Sequence, residues 1–350
     1  MEKAYPYEKN KKMKGGCQVM KKHLKVLVVL VFITALFAVS VAPVAAMGSK
    51  NKKAILVAAF GTTYPSALKS ILNVYNVIKK AYPDIEVRLA FTSNMIRRVW
   101  HKRQKDKMFQ KEHPEIPNQI YNIRSPLAAL AELSDAGYKT VVVQPLHISP
   151  GEEYNLLAGT IRALLSIRTL QEKKKFFKKI ALGRPLLGRN GPYKDGRTYH
   201  DDIKEVAKAL KCDVDLARKN KAGLVYMAHG NEHFSLGSYM ELQKVMNQMY
   251  PDVKIFIGCV EGFPGIEEVV EQIKAAGVKR VILKPLMVVA GDHANNDMAS
   301  DEKDSWKMIL KRNGIIAKPV IQGIGELNSI AHIYLEHLKD AARDAGIQLK

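Results

Sequence analysis

The chain has 350 residues, 47% of them hydrophobic, and a formal net charge of +21 at pH 7. That is enough apolar material for a large core, and the length predicts two domains. Three cysteines exclude a disulfide scaffold and a thiolate zinc site. No basic–aromatic interleaving accompanies the positive charge, which argues against nucleic acid as a partner.

The first element is a leader. "MKKHLKVLVVLVFITALFAVSVAPVAA" (Met20 to Ala46) has a basic start, an apolar run and a small-residue end. It reads as a cleavable signal peptide, cut after Ala46. The residues before it are polar and Lys-rich, leaving Met13 and Met20 as alternative starts. An uncleaved anchor is the rival reading, because the apolar run approaches spanning length. Cleavage predicts an exported, periplasmic or extracytoplasmic protein with no membrane segment in its mature form. The first 46 residues hold eight lysines and two acidic groups, so the remainder keeps a charge of +15. Such a field favours an anionic partner, although runs like "EKKKFFKK" (Glu172 to Lys179) also fit a solvated surface.

Beyond the leader, apolar strand-like runs alternate with helical patterns, the signature of an α/β fold with parallel sheets. "KAILVAAFGT" opens the first half, followed by a helix patterned Ala67, Leu68, Ile71, Leu72, Tyr75, Ile78. Strands are then predicted at "EVRLAFTS", "KTVVVQPLHIS" and "KIALGRPLL". The second half supplies "AGLVYMAHG", "VKIFIGCVEG", "KRVILKPLMVVAG" and "GIIAKPVIQGIG".

The two sets match piece by piece. "YPDIEVRLAFTS" (Tyr82 to Ser93) aligns without a gap on "YPDVKIFIGCVE" (Tyr250 to Glu261). "GYKTVVVQPLHISPGEE" (Gly137 to Glu153) aligns likewise on "GVKRVILKPLMVVAGDH" (Gly277 to His293). A duplication is the economical account. It predicts two similar Rossmann-like or flavodoxin-like halves, each with a parallel four-stranded sheet, facing each other across a cleft. The boundaries expected are 47–188 for the N-terminal domain and 189–350 for the C-terminal one, with the last helix packing back on the first domain.

Parallel sheets bind ligands beyond the carboxyl ends of their strands. In the second half those ends carry His229, Glu261 and His293; the matching first-half positions hold Phe60, Ser93 and Glu153. The halves share a scaffold but not a chemistry. Two imidazoles and a carboxylate suit a borderline divalent metal such as Co, Ni, Fe or Zn. A single His at a strand end more often caps a helix or bonds a neighbour; three ligating types at three ends of one half point to a site. Glu153 reads as a proton acceptor or substrate-orienting group, or else as a solvated loop acid. Phe60 is either core or one wall of a flat-ligand pocket. His147, the counterpart of Met287, fits a satisfied core histidine, and His233 an outer-layer residue.

In order along the chain, "LVAAFGTTY", "AFTSNMIRR", "LHISPGEEY", "MAHGNEH", "VEGFPG" and "PLMVVAGDHANNDMASDEKDSWK" resemble the anaerobic sirohydrochlorin cobaltochelatases, from about Lys53 onward. The resemblance implies a two-domain chelatase fold of the ferrochelatase-like group. It implies insertion of Co²⁺ into sirohydrochlorin with release of two protons, on the anaerobic route to cobalamin. It makes His229 proton acceptor and metal ligand, Glu261 and His293 the other metal positions, and Glu153 and His293 catalytic partners. Arg97 and Arg98 are candidate clamps for the substrate's carboxylates, alongside Phe60 and Ser93. Fe²⁺ and Ni²⁺ suit the same donors, and no organic cofactor is implied.

Two features depart from the family pattern. A leader is unexpected for a cytoplasmic biosynthetic step, so the alternative is an exported haem, tetrapyrrole or metal carrier using the same cleft without catalysis. It would use His101, His113, His147 or Met287 as axial ligands to bound haem. The stretch from Leu170 to Ala222 is long and Lys-rich, expected as an added surface helix or a homo-oligomer contact.

Overall fold

Eight strands fall where the apolar runs predict them. A computed structural model describes residues 52–171, 174–231 and 237–350; the predicted leader and His233 lie outside these. In the first half, β1 (Lys52–Ala59), β2 (Glu86–Phe91), β3 (Tyr138–Pro145) and β4 (Lys179–Leu182) pair in the order β2-β1-β3-β4. In the second, β5 (Gly223–Gly230), β6 (Ile255–Glu261), β7 (Arg280–Leu286) and β8 (Ile316–Pro319) pair as β6-β5-β7-β8. Every pairing is parallel.

The first-half helices are α1 (Leu68–Ala81), α2 (Asn94–Arg103), α3 (Lys107–Glu112), α4 (Asn118–Tyr121), α5 (Pro126–Asp135) and α6 (Glu152–Ser166). Then follow α7 (Tyr199–Ala209), α8 (Lys211–Lys219), α9 (Gly237–Met249), α10 (Ile266–Ala275), α11 (Trp306–Arg312) and α12 (Asn328–Asp344). On α1 the predicted stripe is buried apart from Leu72, which packs at the core's margin while Val74 enters it. The Lys-rich stretch is not one added helix: it contains β4, α7 and α8.

Sheet register carries the duplication into three dimensions. Ala58 pairs with Pro145 as Met227 pairs with Pro285, and Ala59 pairs with Phe91 as Ala228 pairs with Cys259. Counting on from these pairs, Phe60 occupies the place of His229, and Ser93 that of Glu261.

Burial splits by strand parity, because side chains of a strand alternate between its faces. Ile55, Val57 and Ala59 of β1 join Leu224, Tyr226 and Ala228 of β5 in one continuous core that also takes in α1 and α12. Ala54, Leu56 and Ala58 face a separate cluster under α5 and α6, and Val225 and Met227 face another under α10 and α11. Residues Asn51–Lys350 accordingly form one compact unit containing both sheets. Each Ile or Leu removed from water in the shared core contributes about 1.5–3 kcal/mol.

Buried charge ties the C-terminal helix to this frame. Arg184, just past β4, donates two hydrogen bonds to Asp202 of α7 (2.7 and 2.9 Å) and one to Asp340 of α12 (2.8 Å). Tyr193 donates to Asp202 at 2.6 Å, and His337 lies 3.3 Å from its other oxygen. Burial alone would raise the Asp202 carboxyl, yet hydrogen bonds from His337, Arg184 and Tyr193 override it and hold the group at about 2. In the second half, Lys284 of β7 pairs with Asp213 of α8, which also accepts from Tyr226 at 2.8 Å.

His147 departs from expectation. It is 9% exposed, and neither ring nitrogen has a hydrogen-bond partner. Burial pushes its imidazole down to about 4. The residue is core, but not a satisfied one.

Two measurements follow from these buried groups. Arg184→Met leaves Asp202 and Asp340 short of their main counter-charge, and urea unfolding should show a loss of about 3–5 kcal/mol. For His147, the folded protein binds the proton less readily than the unfolded chain, whose imidazole titrates near 6.5. Its contribution is therefore complete above that pH and lost as pH falls toward 4, by up to about 3 kcal/mol. His147→Met, which copies the paired Met287, should be at least as stable at pH 7.5 and should lose less stability on acidification. An unchanged acid limb in thermal melts would exclude His147 as its source.

Candidate active site

The second sheet delivers three ligating side chains to one edge. In its strand order the connections reverse direction between β5 and β7, which opens a crevice at their carboxyl ends. His229 is the penultimate residue of β5, His293 follows β7, and Glu261 ends β6, the other neighbour of β5.

Backbone contact sets the first pair. Gly230 has φ +83°, and a Cβ there would stand 1.8 Å from the Glu261 carbonyl oxygen. Gly262 (φ +87°) makes a second, less extreme approach, with a Cβ position 2.8 Å from the Asn231 carbonyl oxygen. The two strand exits are interleaved with no room for a side chain between them. His229 Nδ1 consequently lies 3.1 Å from the Gly230 oxygen and 3.8 Å from Glu261 Oε2.

The exit of β7 is built differently. The expected strand through Ala290 ends pairing at Leu286, and the chain bends over residues 287–289 before a helical turn starts at Asp292. Ala294–Met298 forms a π-helical turn, a distortion frequent at functional sites. The turn brings Asp297 Oδ2 to 2.5 Å from His293 Nδ1. With that nitrogen donating to the carboxylate, Nε2 carries the free lone pair, as in carboxylate–histidine–metal arrangements. The His229 and His293 rings meet edge to face, centroids 4.9 Å apart and planes at 87°. Asn295 Nδ2 donates to the Gly291 carbonyl at 2.6 Å, and Asn296 Nδ2 to Asp292 at 2.9 Å, which stiffens the turn.

Among the described residues, no three His, Cys, Asp or Glu side chains converge closely enough to hold an ion as they stand. His229, Glu261 and His293 are neighbours, with side chains 43%, 45% and 34% exposed. They form an open half-shell. Ligation at about 2.0–2.2 Å requires these side chains to rotate toward a common point.

The first half closes the other side. Tyr64, past β1, donates to Asp292 at 3.0 Å, joining the β1 loop to the β7 loop. Glu153 stands in the first turn of α6, and a Cβ on Gly151 would lie 3.9 Å from its Oε2 and 3.8 Å from Nδ2 of Asn231, two residues beyond His229. Tyr239 of α9, fully buried, hydrogen-bonds Ser149 and senses the charge of Glu153; burial raises its phenol far above the usual range. A cavity of about 350 Å³ opens beside Gly151, lined among others by Ser149, Arg189, Tyr199 and Ser238.

The remaining expected residues divide. Phe60 is 44% exposed at the end of β1. Ser93 caps α2, its Oγ accepting from the Ile96 amide at 3.4 Å, while its own amide donates to the Phe60 carbonyl at 3.2 Å. Arg97 turns its guanidinium back to the carbonyls of Phe91 and Thr92 (2.6 and 2.7 Å), which makes it a brace for the end of β2; burial, then Arg98, lowers its pKa. Arg98 is exposed on the next position of the same helix. Sequence reasoning did not single out Asp297, Tyr64 or Tyr239. The four-residue spacing from His293 to Asp297 was a signal for the first; the other two act across the cleft and have none.

Comparison with known proteins agrees with this geometry. Residues 53–343 match the cobalt chelatase (CbiK) family. The sirohydrochlorin cobaltochelatase of Salmonella typhimurium is 35% identical over 292 residues, which cover 83% of this chain and 96% of that protein. Sirohydrochlorin cobaltochelatase CbiKC of Nitratidesulfovibrio vulgaris is 30% identical over 291 residues, covering 83% of this chain and 91% of its own. In fold, the chain resembles SirB from Bacillus subtilis, solved with Fe³⁺, with a TM-score of 0.51 at 14% identity over 84% of this chain and 98% of that one. With the matched segment spanning both sheets and every strand-end residue described above, the chain belongs to the cobalt chelatase (CbiK) family.

Proposed function

We propose that this protein is a metal chelatase that inserts Co²⁺ into sirohydrochlorin, with His229, Glu261 and His293 receiving the incoming metal. The observation that carries the reading is the strand-end trio, in which Asp297 orients His293 so that Nε2 is free. Similarity over 83% of the chain to two sirohydrochlorin cobaltochelatases supports the substrate.

The chemistry follows from what must move. A dication enters the macrocycle and two pyrrolic protons leave, so metal ligands and bases are needed within reach of one another. Neutral imidazole serves as either near neutral pH. The Glu261 carboxylate offsets the dication's charge as its water is stripped. Because the three donors are half-exposed and not closed around a point, they suit a transient cargo better than a resident ion. Glu153, from the opposite half, is the carboxylate we assign to take or relay a proton. The same donors accept Fe²⁺ or Ni²⁺.

The excess of positive charge suits a polycarboxylated tetrapyrrole as substrate. The leader supports an exported site of action, where iron or haem handling competes with cobalamin synthesis as the biological role. Haem carriage would need an axial ligand. His101 Nε2 is bonded to the Ile123 carbonyl at 2.9 Å, and His147 and Met287 are buried, leaving His113, which contacts Glu115 at 3.2 Å.

Anaerobic mixing of the purified protein with sirohydrochlorin and Co²⁺, and separately Fe²⁺, should accelerate the visible-spectrum change of metallation over the protein-free rate. His229→Ala and His293→Ala should each abolish the acceleration while leaving circular dichroism unchanged. Asp297→Asn should keep the fold and lower the rate or the Co²⁺ affinity by about 10–100-fold. Full activity in His293→Ala would refute the site assignment.

A further inference from the structure

The carboxyl edge of the sheets carries an apolar rim that metal ligation does not explain. Phe60 follows β1, Met95 opens α2 beyond β2, Leu156 lies in α6 beyond β3, and Phe263 follows β6. They are 44%, 73%, 69% and 73% exposed. Single exposed apolar residues are ordinary, but several along one functional edge mark a binding surface.

Phe263 stands out because its backbone is pinned. The Cys259 amide donates to the Pro264 carbonyl at 2.7 Å, bridging the loop beneath the ring. Gly262 is packed against the Asn231 carbonyl, and the Gly265 amide donates to Glu268 Oε2 at 2.7 Å, capping α10. A loop held at three consecutive points cannot swing its phenylalanine into the core. The ring is therefore presented to solvent two residues from Glu261, which is itself beside His229.

We propose that Phe263 is a platform for one face of the tetrapyrrole, setting the macrocycle over the metal ligands. The inference rests on the chelatase reading and adds a substrate-recognition residue to it. A flat, conjugated ring system with a charged periphery needs an apolar face at its centre, and aromatic stacking supplies that with a defined geometry. Phe60 offers a second exposed ring from the other half. Because Phe263 bears no donor atom, its contribution separates from that of the metal: the ring binds tetrapyrrole, and the trio binds the ion.

The test uses the full chain as Phe263→Ala and Phe263→Tyr, beside wild type. Metal-free sirohydrochlorin binding is followed by its absorbance, Co²⁺ binding by calorimetry without tetrapyrrole, and turnover by steady-state kinetics. Phe263→Ala should raise the tetrapyrrole Kd and KM about tenfold, with Co²⁺ affinity unchanged and kcat within about twofold, and Phe263→Tyr should restore binding. An alanine variant with unaltered Kd and KM overturns the proposal, as does one whose only change is in sedimentation, which would make the ring a self-association contact. Equal losses of Co²⁺ and tetrapyrrole affinity also overturn it, since the loop would then act by supporting Glu261. A wild-type protein that neither binds nor metallates sirohydrochlorin removes the chelatase reading itself, a result distinct from all of these.

Discussion

The site depends on a backbone contact. Gly230 and Glu261 lie so close that any side chain at position 230 would overlap the neighbouring carbonyl. That approach brings the ends of β5 and β6 together, and with them an imidazole and a carboxylate from positions 32 residues apart in sequence. The third ligating group comes from a turn of a different kind, held by its own asparagines and by Tyr64 of the other half. The proposed ligand set is therefore a product of strand exits rather than of a local motif, which is why no short spacing in the chain announces it.

The two halves share one sheet order, yet the two imidazoles and the carboxylate at the strand ends lie in only one of them. At matching positions, Ser93 caps a helix while Glu261 faces the site, and Phe60 presents a ring where His229 presents a nitrogen. Such division is physically economical. The metal needs hard and borderline donors in a polar setting, while the macrocycle needs apolar faces and bases placed opposite the metal. Strand-end residues can diverge in this way without either sheet losing its core, because the shared core and the two flanking clusters are built from residues within the strands and helices.

The halves are held in place by interactions deeper in the molecule. The C-terminal helix α12 lies in the shared core, and its Asp340 joins Arg184 and Asp202 in a buried set of charges. A buried pair adds little net stability over an apolar substitute, but it penalises any arrangement that separates its members. Here such separation would detach the last helix from the first sheet. The network thus favours one relative placement of the loops that meet over the cleft. Lys284 and Asp213 fix α8 against β7 within the second half in the same way.

The sequence alone determined the strand order, the helix after the first strand, the repeated unit, and the three strand ends where ligating residue types emerge. These are local properties: apolar runs bounded by glycine, and pairwise matches between segments, need no knowledge of the third dimension. The tertiary structure decided which polar residues serve the site and which serve the frame. Arg97 looks like a free cation beside the cleft but braces the end of β2, and His147 looks like a satisfied core residue but has no partner. Asp297 becomes a partner of His293 because the chain after β7 turns helically, which puts residues four apart on one face. Tyr64 and Tyr239 acquire roles only when the two halves meet. Hydrogen-bond partners and burial depend on distances between segments far apart in the chain, and pattern along a sequence carries no distances.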